Sequence, residues 1–220
     1  RLRCDWSSDV CSSDLTATDF DIIAPEGVNH VQARVIGVVE NQAPTKALTA
    51  TLSVEDGFAV GDEAQDVCQI ALVERHRATG SVTNAFVSGF GYTGDCAVAS
   101  TVAHDSHHMI VVGTSKADMA LAANRLSEVG GGITDWKDGV ELALVKLPVG
   151  GLMSDAPAVE VAAAADQMIA AMAECGCTLN NAFMQHSLLA LVVIPELRIS
   201  DVGLIDVVLF EETPLFLKDQ

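Results

Sequence analysis

Two Asp-Gly pairs, each set between apolar runs, most constrain what this chain can fold into. Asp56-Gly57 lies inside the run LSVEDGFAV (52–60), and Asp138-Gly139 separates residues 133–137 from 140–147. Asp-Gly readily adopts the positive φ angles of a tight two-residue turn between antiparallel strands. The sequence therefore predicts a β-hairpin at each pair.

Other short runs rich in β-branched residues predict further strands, because each is bounded by glycine, proline or charged residues. The last of them opens with Leu204 and follows an apolar block, Phe183–Ile194, that ends at Pro195. The predicted strands cover residues 28–40, 66–74, 81–87, 96–102, 109–112 and 204–210.

Two helices have clear start and stop signals. Thr114 or Ser115 can cap the first, whose apolar residues recur at helical spacing until the glycines at 130–132. Ser154 or Asp155 can cap the second, with Pro157 in its first turn and Gly176 at its end. Strands followed by helix, hairpin and helix predict an α+β fold, with mixed or antiparallel sheets and two or three packed helices.

Composition excludes several classes of function. The chain has 220 residues and a formal net charge of -18, which disfavours nucleic acid and anionic membrane surfaces as partners. The most apolar run, Leu188–Ile194, is far shorter than the ~20 residues that cross a bilayer. Cysteines 68, 96, 175 and 177 have no metal-type spacing. We expect a cytoplasmic protein with reduced thiols.

The first fifteen residues differ in character from the rest. RLRCDWSSDVCSSDL has no apolar periodicity and resembles the translation of a sequencing-library adaptor. We interpret residues 1–15 as a non-native leader and expect the natural protein to be longer.

The densest polar cluster is His104-Asp105-Ser106-His107-His108, between two apolar runs. Imidazoles can carry protons or bind metal near neutral pH, and a carboxylate can orient them. In an extended segment His104 and His107 would point to opposite faces, so only a turn brings them together. The cluster can be functional, or it can be a hydrogen-bonded turn or inter-domain contact.

A second polar cluster is Glu74-Arg75-His76-Arg77. The fork of Arg75 could clamp an anionic ligand, but a locally paired strand terminus is the favoured interpretation. The chain contains no GxGxxG after a strand, phosphate loop, GxSxG, HExxH or HxH motif. The residues alone therefore assemble no nucleophile, base and oxyanion site.

Several ordered segments resemble the C-terminal part of the adenine deaminase family, in the amidohydrolase superfamily. RVIGVVENQAPT (34–45) resembles the stretch that leads into that part. The others are ERHRATG (74–80), GFGYTGDCAVASTVAHDSHHMIVVGTS (89–115), MALAANRL (119–126), GGG (130–132), LPVGGLMSD (147–155) and FMQHSLLALVVIPELRISDVGLIDV (183–207).

The resemblance implies hydrolytic deamination of adenine to hypoxanthine and ammonia, in purine salvage. It places manganese or iron in an N-terminal (β/α)-barrel that this chain does not contain, and no metal site in the chain itself. The implied organisation is a lead-in over residues 16–45 and a C-terminal-like domain over 46–220. The implied partners are the protein's own barrel and further copies in a homo-oligomer, with adenine as substrate.

The family's HDSHN motif matches His104, Asp105, Ser106 and His107, while His108 stands where asparagine is expected. The resemblance thus makes His104, Asp105 and His107 the candidate catalytic residues, on a turn that either lines the barrel mouth or only supports the domain. Three hypotheses follow: an accessory domain that is inactive alone, a structural or oligomerisation module, and a small metal-dependent hydrolase. The hydrolase would use His104, His107 and His108 with Asp105 or Glu74.

Overall fold

A computed structural model describes residues 14–77 and 79–217. Its helices are α1 (Lys116–Val129), α2 (Ala158–Glu174) and α3 (Ala182–Leu188). Its strands are β1 (His30–Gly37), β2 (Lys46–Glu55), β3 (Phe58–Ala59), β4 (Val67–Val73), β5 (Val82–Ser88), β6 (Cys96–Ser100), β7 (Met109–Gly113), β8 (Gly132–Lys137), β9 (Val140–Lys146), β10 (Leu197–Ser200), β11 (Gly203–Asp206) and β12 (Glu211–Thr213).

The strands form a large mixed sheet and a small antiparallel one. The large sheet has nine strands in the order β3-β2-β1-β5-β4-β7-β6-β8-β9, and the small one has the order β10-β11-β12. Neighbouring strands are antiparallel except β1 and β5, which pair in parallel. The predicted α+β class with mixed sheets is confirmed.

Both predicted hairpins are confirmed. β2 and β3 are joined through Asp56 and Gly57 at φ 51° and 89°, and β8 and β9 through Asp138 and Gly139 at φ 51° and 77°. Positive φ at both turn residues gives the local twist that matches the flanking strands.

The large sheet is covered on both faces, which explains why its central strands are mostly apolar and are buried along their length. On β4, Ala71 and Val73 pack with α1, whereas Ile70 and Leu72 pack into a cluster with α2, α3 and the small sheet. A strand buried on both faces carries no polar alternation. β4, β6 and β7 are buried along their whole length for this reason.

The helix starts were predicted with mixed success. α1 begins after Ser115, whose hydroxyl accepts from the Asp118 amide, and ends at Gly130 with φ 84°, as expected. The predicted capping of α2 is wrong, because Pro157 is its N-cap and no side chain caps it. A residue before proline disfavours the helical region, so Ala156 cannot join the helix.

The C-terminal strand was predicted too long. β11 ends at Asp206, whose Oδ1 accepts hydrogen bonds from the amides of Val208 and Leu209, both at 3.0 Å. This turn breaks the predicted strand 204–210 and starts β12, while β10 was not predicted at all. Across residues 14–77 and 79–217, no helix combines the length and apolarity that a bilayer crossing requires.

The ends of the chain bear on the predicted organisation. Most of the leader interpreted as non-native, residues 1–13, lies outside the described residues. Leu15 is buried and exchanges two hydrogen bonds with the side chain of Asn124, at 2.9 and 2.7 Å. β1 falls within the predicted lead-in, yet it pairs with β2 and β5 inside the large sheet. The boundary between lead-in and domain stays a prediction.

Candidate functional site

The His104–His108 segment forms a turn between β6 and β7. The amide of His107 donates to the carbonyl of Ala103 at 2.7 Å, and His107 has φ 53°. The amide of His104 donates to the carbonyl of Ser187 at the end of α3, at 2.9 Å. The rings of His104 and His107 therefore meet edge to face, with centroids 5.2 Å apart. The turn brings together the two imidazoles that an extended segment would separate.

Arg75, two residues after the end of β4, holds this turn in place through its side chain. Its side chain is only 1% exposed. Its Nε donates to the carbonyl of His107, and its Nη2 donates to the carbonyl of Gly150 at 3.0 Å. A guanidinium presents its donors in a planar fork, so one side chain can hold two loops at a fixed angle.

Gly151 makes room for the guanidinium. A Cβ atom on Gly151 would lie 2.9 Å from Nη1 and 3.1 Å from Nη2 of Arg75, and the residue has φ 73°. The carbonyl of Gly151 accepts a hydrogen bond from the Thr101 hydroxyl at 2.6 Å. The segment LPVGGLMSD is thus tied to the histidine turn through its glycines.

His76 and His108 line an open cleft beside the turn. Their rings lie 4.8 Å apart, and His76 Nε2 donates to the carbonyl of Ser106 at 2.6 Å. The Nε2 atom of His108 lies 3.8 Å from an Asp201 carboxylate oxygen. The cleft has a volume of about 490 Å³ and is lined by Glu74, His76, Arg77, Thr79, Ser81, His108 and Asp201.

Glu74 is a structural carboxylate. It is buried and accepts hydrogen bonds from the amides of Arg77 and Thr79 and from the Thr79 hydroxyl, at 2.8, 3.1 and 2.9 Å. Burial alone would raise its pKa, but these hydrogen bonds together lower the pKa of Glu74 below its ordinary value. The carboxylate is therefore ionised and already engaged.

Two imidazoles of the cluster are kept neutral. Burial lowers the pKa of His107, and the neighbouring His104 adds to that effect. Burial likewise lowers the pKa of His108, with a further contribution from His76. A neutral imidazole can accept a proton or offer a lone pair, so both rings suit hydrogen bonding better than charge pairing.

The cluster does not fit a manganese or iron ion. Over residues 14–77 and 79–217, no three His, Cys, Asp or Glu side chains are placed to hold a metal. Glu74 is engaged by its own loop, and His76 Nε2 is engaged by Ser106. The set proposed for a small metal-dependent hydrolase is therefore not assembled within this part of the chain.

The sequence identified the turn but not what supports it. It presented Arg75 either as a clamp for a ligand or as a locally paired terminus, whereas the structure binds it to carbonyls of two distant loops. It gave no role to Asp201 or Gly150. Only the glycine pair in LPVGGLM signalled a loop with unusual backbone angles.

The geometry so far defines an α+β domain with a mixed sheet, in which His76, His104, His107 and His108 gather on loops at the ends of central strands. Comparison with known proteins narrows this class. Residues 42–211 match the family model described as the adenine deaminase C-terminal domain. The chain belongs to this family.

Full-length relatives agree with the match. An adenine deaminase of Ruegeria pomeroyi is 73% identical over 202 residues, which are 91% of this chain and 34% of that protein. An adenine deaminase of Mesorhizobium japonicum is 68% identical over 203 residues, and one of Moorella thermoacetica is 46% identical over 201 residues. The chain spans about a third of the length of these relatives.

Proposed function

We propose that this chain serves as the C-terminal accessory domain of an adenine deaminase, which hydrolyses adenine to hypoxanthine and ammonia. The observation that carries the proposal is that 91% of the chain matches about a third of the length of each of these relatives, which are named adenine deaminase. The activity belongs to the whole polypeptide, and the chain alone is inactive. We further propose a cytoplasmic homo-oligomer that acts in purine salvage.

Manganese or iron, on this proposal, is held by the barrel that forms the rest of the enzyme. On this proposal, this chain contributes to the enzyme a contact surface for the barrel and hydrogen-bonding groups near its active site. Neither nucleic acid nor a membrane is a partner.

The His104–His107 turn is the part of this domain that we place at the mouth of the active site. His104, Asp105 and His107 present an imidazole pair and an exposed carboxylate on a turn fixed by Arg75. A rigid turn can position hydrogen-bonding groups at little entropic cost. A proton acceptor held there could assist substrate binding or transfer of a proton to the leaving amine.

A chimeric enzyme tests the proposal directly. Residues 16–217 replace the matched third of the Ruegeria pomeroyi adenine deaminase, and adenine turnover is followed with manganese or iron supplied. We expect the chimera to release hypoxanthine and the isolated chain to release none. Turnover by the isolated chain, or an inactive chimera beside an active parent, would contradict the proposal.

Substitutions in the chimera separate a catalytic role of the turn from a structural one. His104→Ala and His107→Ala should each lower kcat/KM by about 10²-fold or more if the rings act on substrate or a transferred proton. Thermal unfolding of each variant provides the control. Lower stability with unchanged kcat and KM would instead favour the structural or oligomerisation module.

A further inference from the structure

The loop Val149–Met153 exposes three large apolar side chains beside the histidine turn. Val149 is 45% exposed, Leu152 38% and Met153 62%. Single exposed apolar residues are common on protein surfaces, whereas a group of them in one short loop is typical of a surface that contacts another protein element.

The loop is ordered by its own backbone. Val149 and Met153 exchange two backbone hydrogen bonds, at 3.1 and 3.2 Å, and the amide of Leu152 donates to the carbonyl of Val149 at 3.2 Å. The Thr101 hydroxyl binds the carbonyl of Gly151 from the sheet side. A loop held in this way loses little conformational entropy when a partner covers it.

Arg75 joins this loop to the His104–His107 turn. It donates to the carbonyl of Gly150 on the loop and to that of His107 on the turn. We call the two segments together the docking face. It combines exposed apolar side chains with the exposed carboxylate of Asp105 and the half-buried rings of His104 and His107. An apolar centre beside hydrogen-bonding groups is the usual anatomy of a protein interface.

We propose that the docking face binds the part of the adenine deaminase polypeptide that lies outside this chain. The inference rests on the proposed function and specifies its contact surface. In the Ruegeria pomeroyi relative, the match covers 34% of the length, so about two thirds of that protein is available as the occupant. Its complementary surface is an apolar patch, flanked by donors that meet Asp105.

Cysteine labelling measures whether the loop is covered. Met153→Cys is introduced into the isolated chain and into the chimera, and the rate of modification by a maleimide is compared. The matched control is Glu55→Cys, at the exposed end of β2. Unsubstituted proteins that contain residues 16–217, and so lack Cys4 and Cys11, give the background labelling; within this chain it comes from Cys177, since Cys68, Cys96 and Cys175 are buried.

We expect Met153→Cys to react about tenfold or more slowly in the chimera than in the isolated chain, because thiol modification follows exposure. Glu55→Cys should react at the same rate in both proteins. Equal rates for Met153→Cys in an active chimera would overturn the docking face and leave the proposed function intact. An inactive chimera would instead count against the proposed function.

A second copy of this chain is the competing occupant. The isolated chain, studied by sedimentation at the labelling concentration, distinguishes the two. A monomer with a reactive Met153→Cys thiol supports the proposal. A dimer in which that thiol is already protected would overturn it, because the loop would then be an interface between copies.

Discussion

At the residue scale, the guanidinium of Arg75 joins two loops that lie far apart in the sequence. It holds the carbonyls of His107 and Gly150 in a buried site. Removing a buried donor leaves these carbonyls without the charge-assisted hydrogen bonds that offset their burial. The positions of both loops therefore depend on this one side chain.

Arg75→Met should lower the free energy of unfolding by about 2–4 kcal/mol. The loss comes from the missing hydrogen bonds and from the carbonyls of His107 and Gly150, which keep no donor from this side chain. Arg77→Met is the matched control, because Arg77 is an exposed arginine two residues away. Its effect should stay within about 0.5 kcal/mol. Denaturant unfolding measures both variants, and equal effects would contradict the anchoring role.

Asp135 on β8 offers a second test at this scale. It is fully buried, and its Oδ1 accepts a hydrogen bond from the thiol of Cys175 at 3.4 Å. Burial raises the pKa of Asp135 from 3.8 to about 7, against the lowering effect of that hydrogen bond. Because the folded pKa exceeds the unfolded one, its contribution to stability is complete below pH 3.8 and is lost as pH rises through about 7.

Asp135→Asn removes this titration. Between about pH 4 and about pH 8, the variant should gain up to about 4 kcal/mol of unfolding free energy relative to the parent. Asp138→Asn, in the exposed turn of the same hairpin, is the matched substitution that leaves the buried carboxyl of Asp135 in place. Parallel stability curves for the parent and Asp135→Asn would show that the buried carboxyl does not titrate in this range.

At the element scale, the two long helices start differently. Ser115 accepts a hydrogen bond from the Asp118 amide at 3.3 Å, whereas α2 begins after Pro157 without a side-chain cap. Cap residues satisfy backbone amides that have no partner within the helix. The two helices should therefore respond differently to alanine.

Ser115→Ala should destabilise the protein by about 1 kcal/mol, because it removes a cap. Asp155→Ala should change the unfolding free energy by less than about 0.5 kcal/mol, because Asp155 is exposed and outside the helix. Denaturant unfolding checks the pair. A larger loss in Asp155→Ala than in Ser115→Ala would contradict the observed helix starts.

The elements that the sequence predicted well are those with local causes. The Asp-Gly hairpins and α1 depend on turn and cap residues within a few positions of each other. The strand order of the large sheet does not depend on such local residues, because the parallel pairing of β1 with β5 joins segments that other strands separate in the sequence. β10 was missed because its four residues lack a distinctive pattern and pair only with β11.

The candidate site shows the same division. The sequence placed His104, Asp105 and His107 together, since they are neighbours in the chain. It could not show that Arg75 and Gly150 meet beneath them, because that contact depends on how β4 and the loop after β9 are arranged across the sheet. Long-range contacts of this kind are decided by tertiary packing.

At the scale of the whole molecule, the formal net charge of -18 sets a general constraint. Like charges repel more in the compact state than in the unfolded chain, and salt screens that repulsion. About two thirds of the matched Ruegeria pomeroyi relative lies outside the region that this chain matches. The charge of the chain itself therefore acts on its own stability whenever it is studied alone.

Raising sodium chloride from about 10 mM to about 500 mM should therefore raise the midpoint of thermal unfolding of the isolated chain by a few degrees, about 1 kcal/mol. Calorimetry checks this expectation. As a reference, a variant with several surface glutamates replaced by glutamine should show a smaller rise in its unfolding midpoint over the same range of sodium chloride. A flat or falling midpoint in the parent would contradict dominant self-repulsion.

The tight fit of Gly151 against Arg75 has an evolutionary consequence. A methyl group at position 151 would meet the guanidinium at 2.9–3.1 Å, in a backbone conformation with φ 73°. A side chain at this position would strain the backbone and would also require the guanidinium of Arg75 to move. Substitutions at these two positions should therefore be inherited together, and a family-wide alignment should show glycine wherever the arginine is retained.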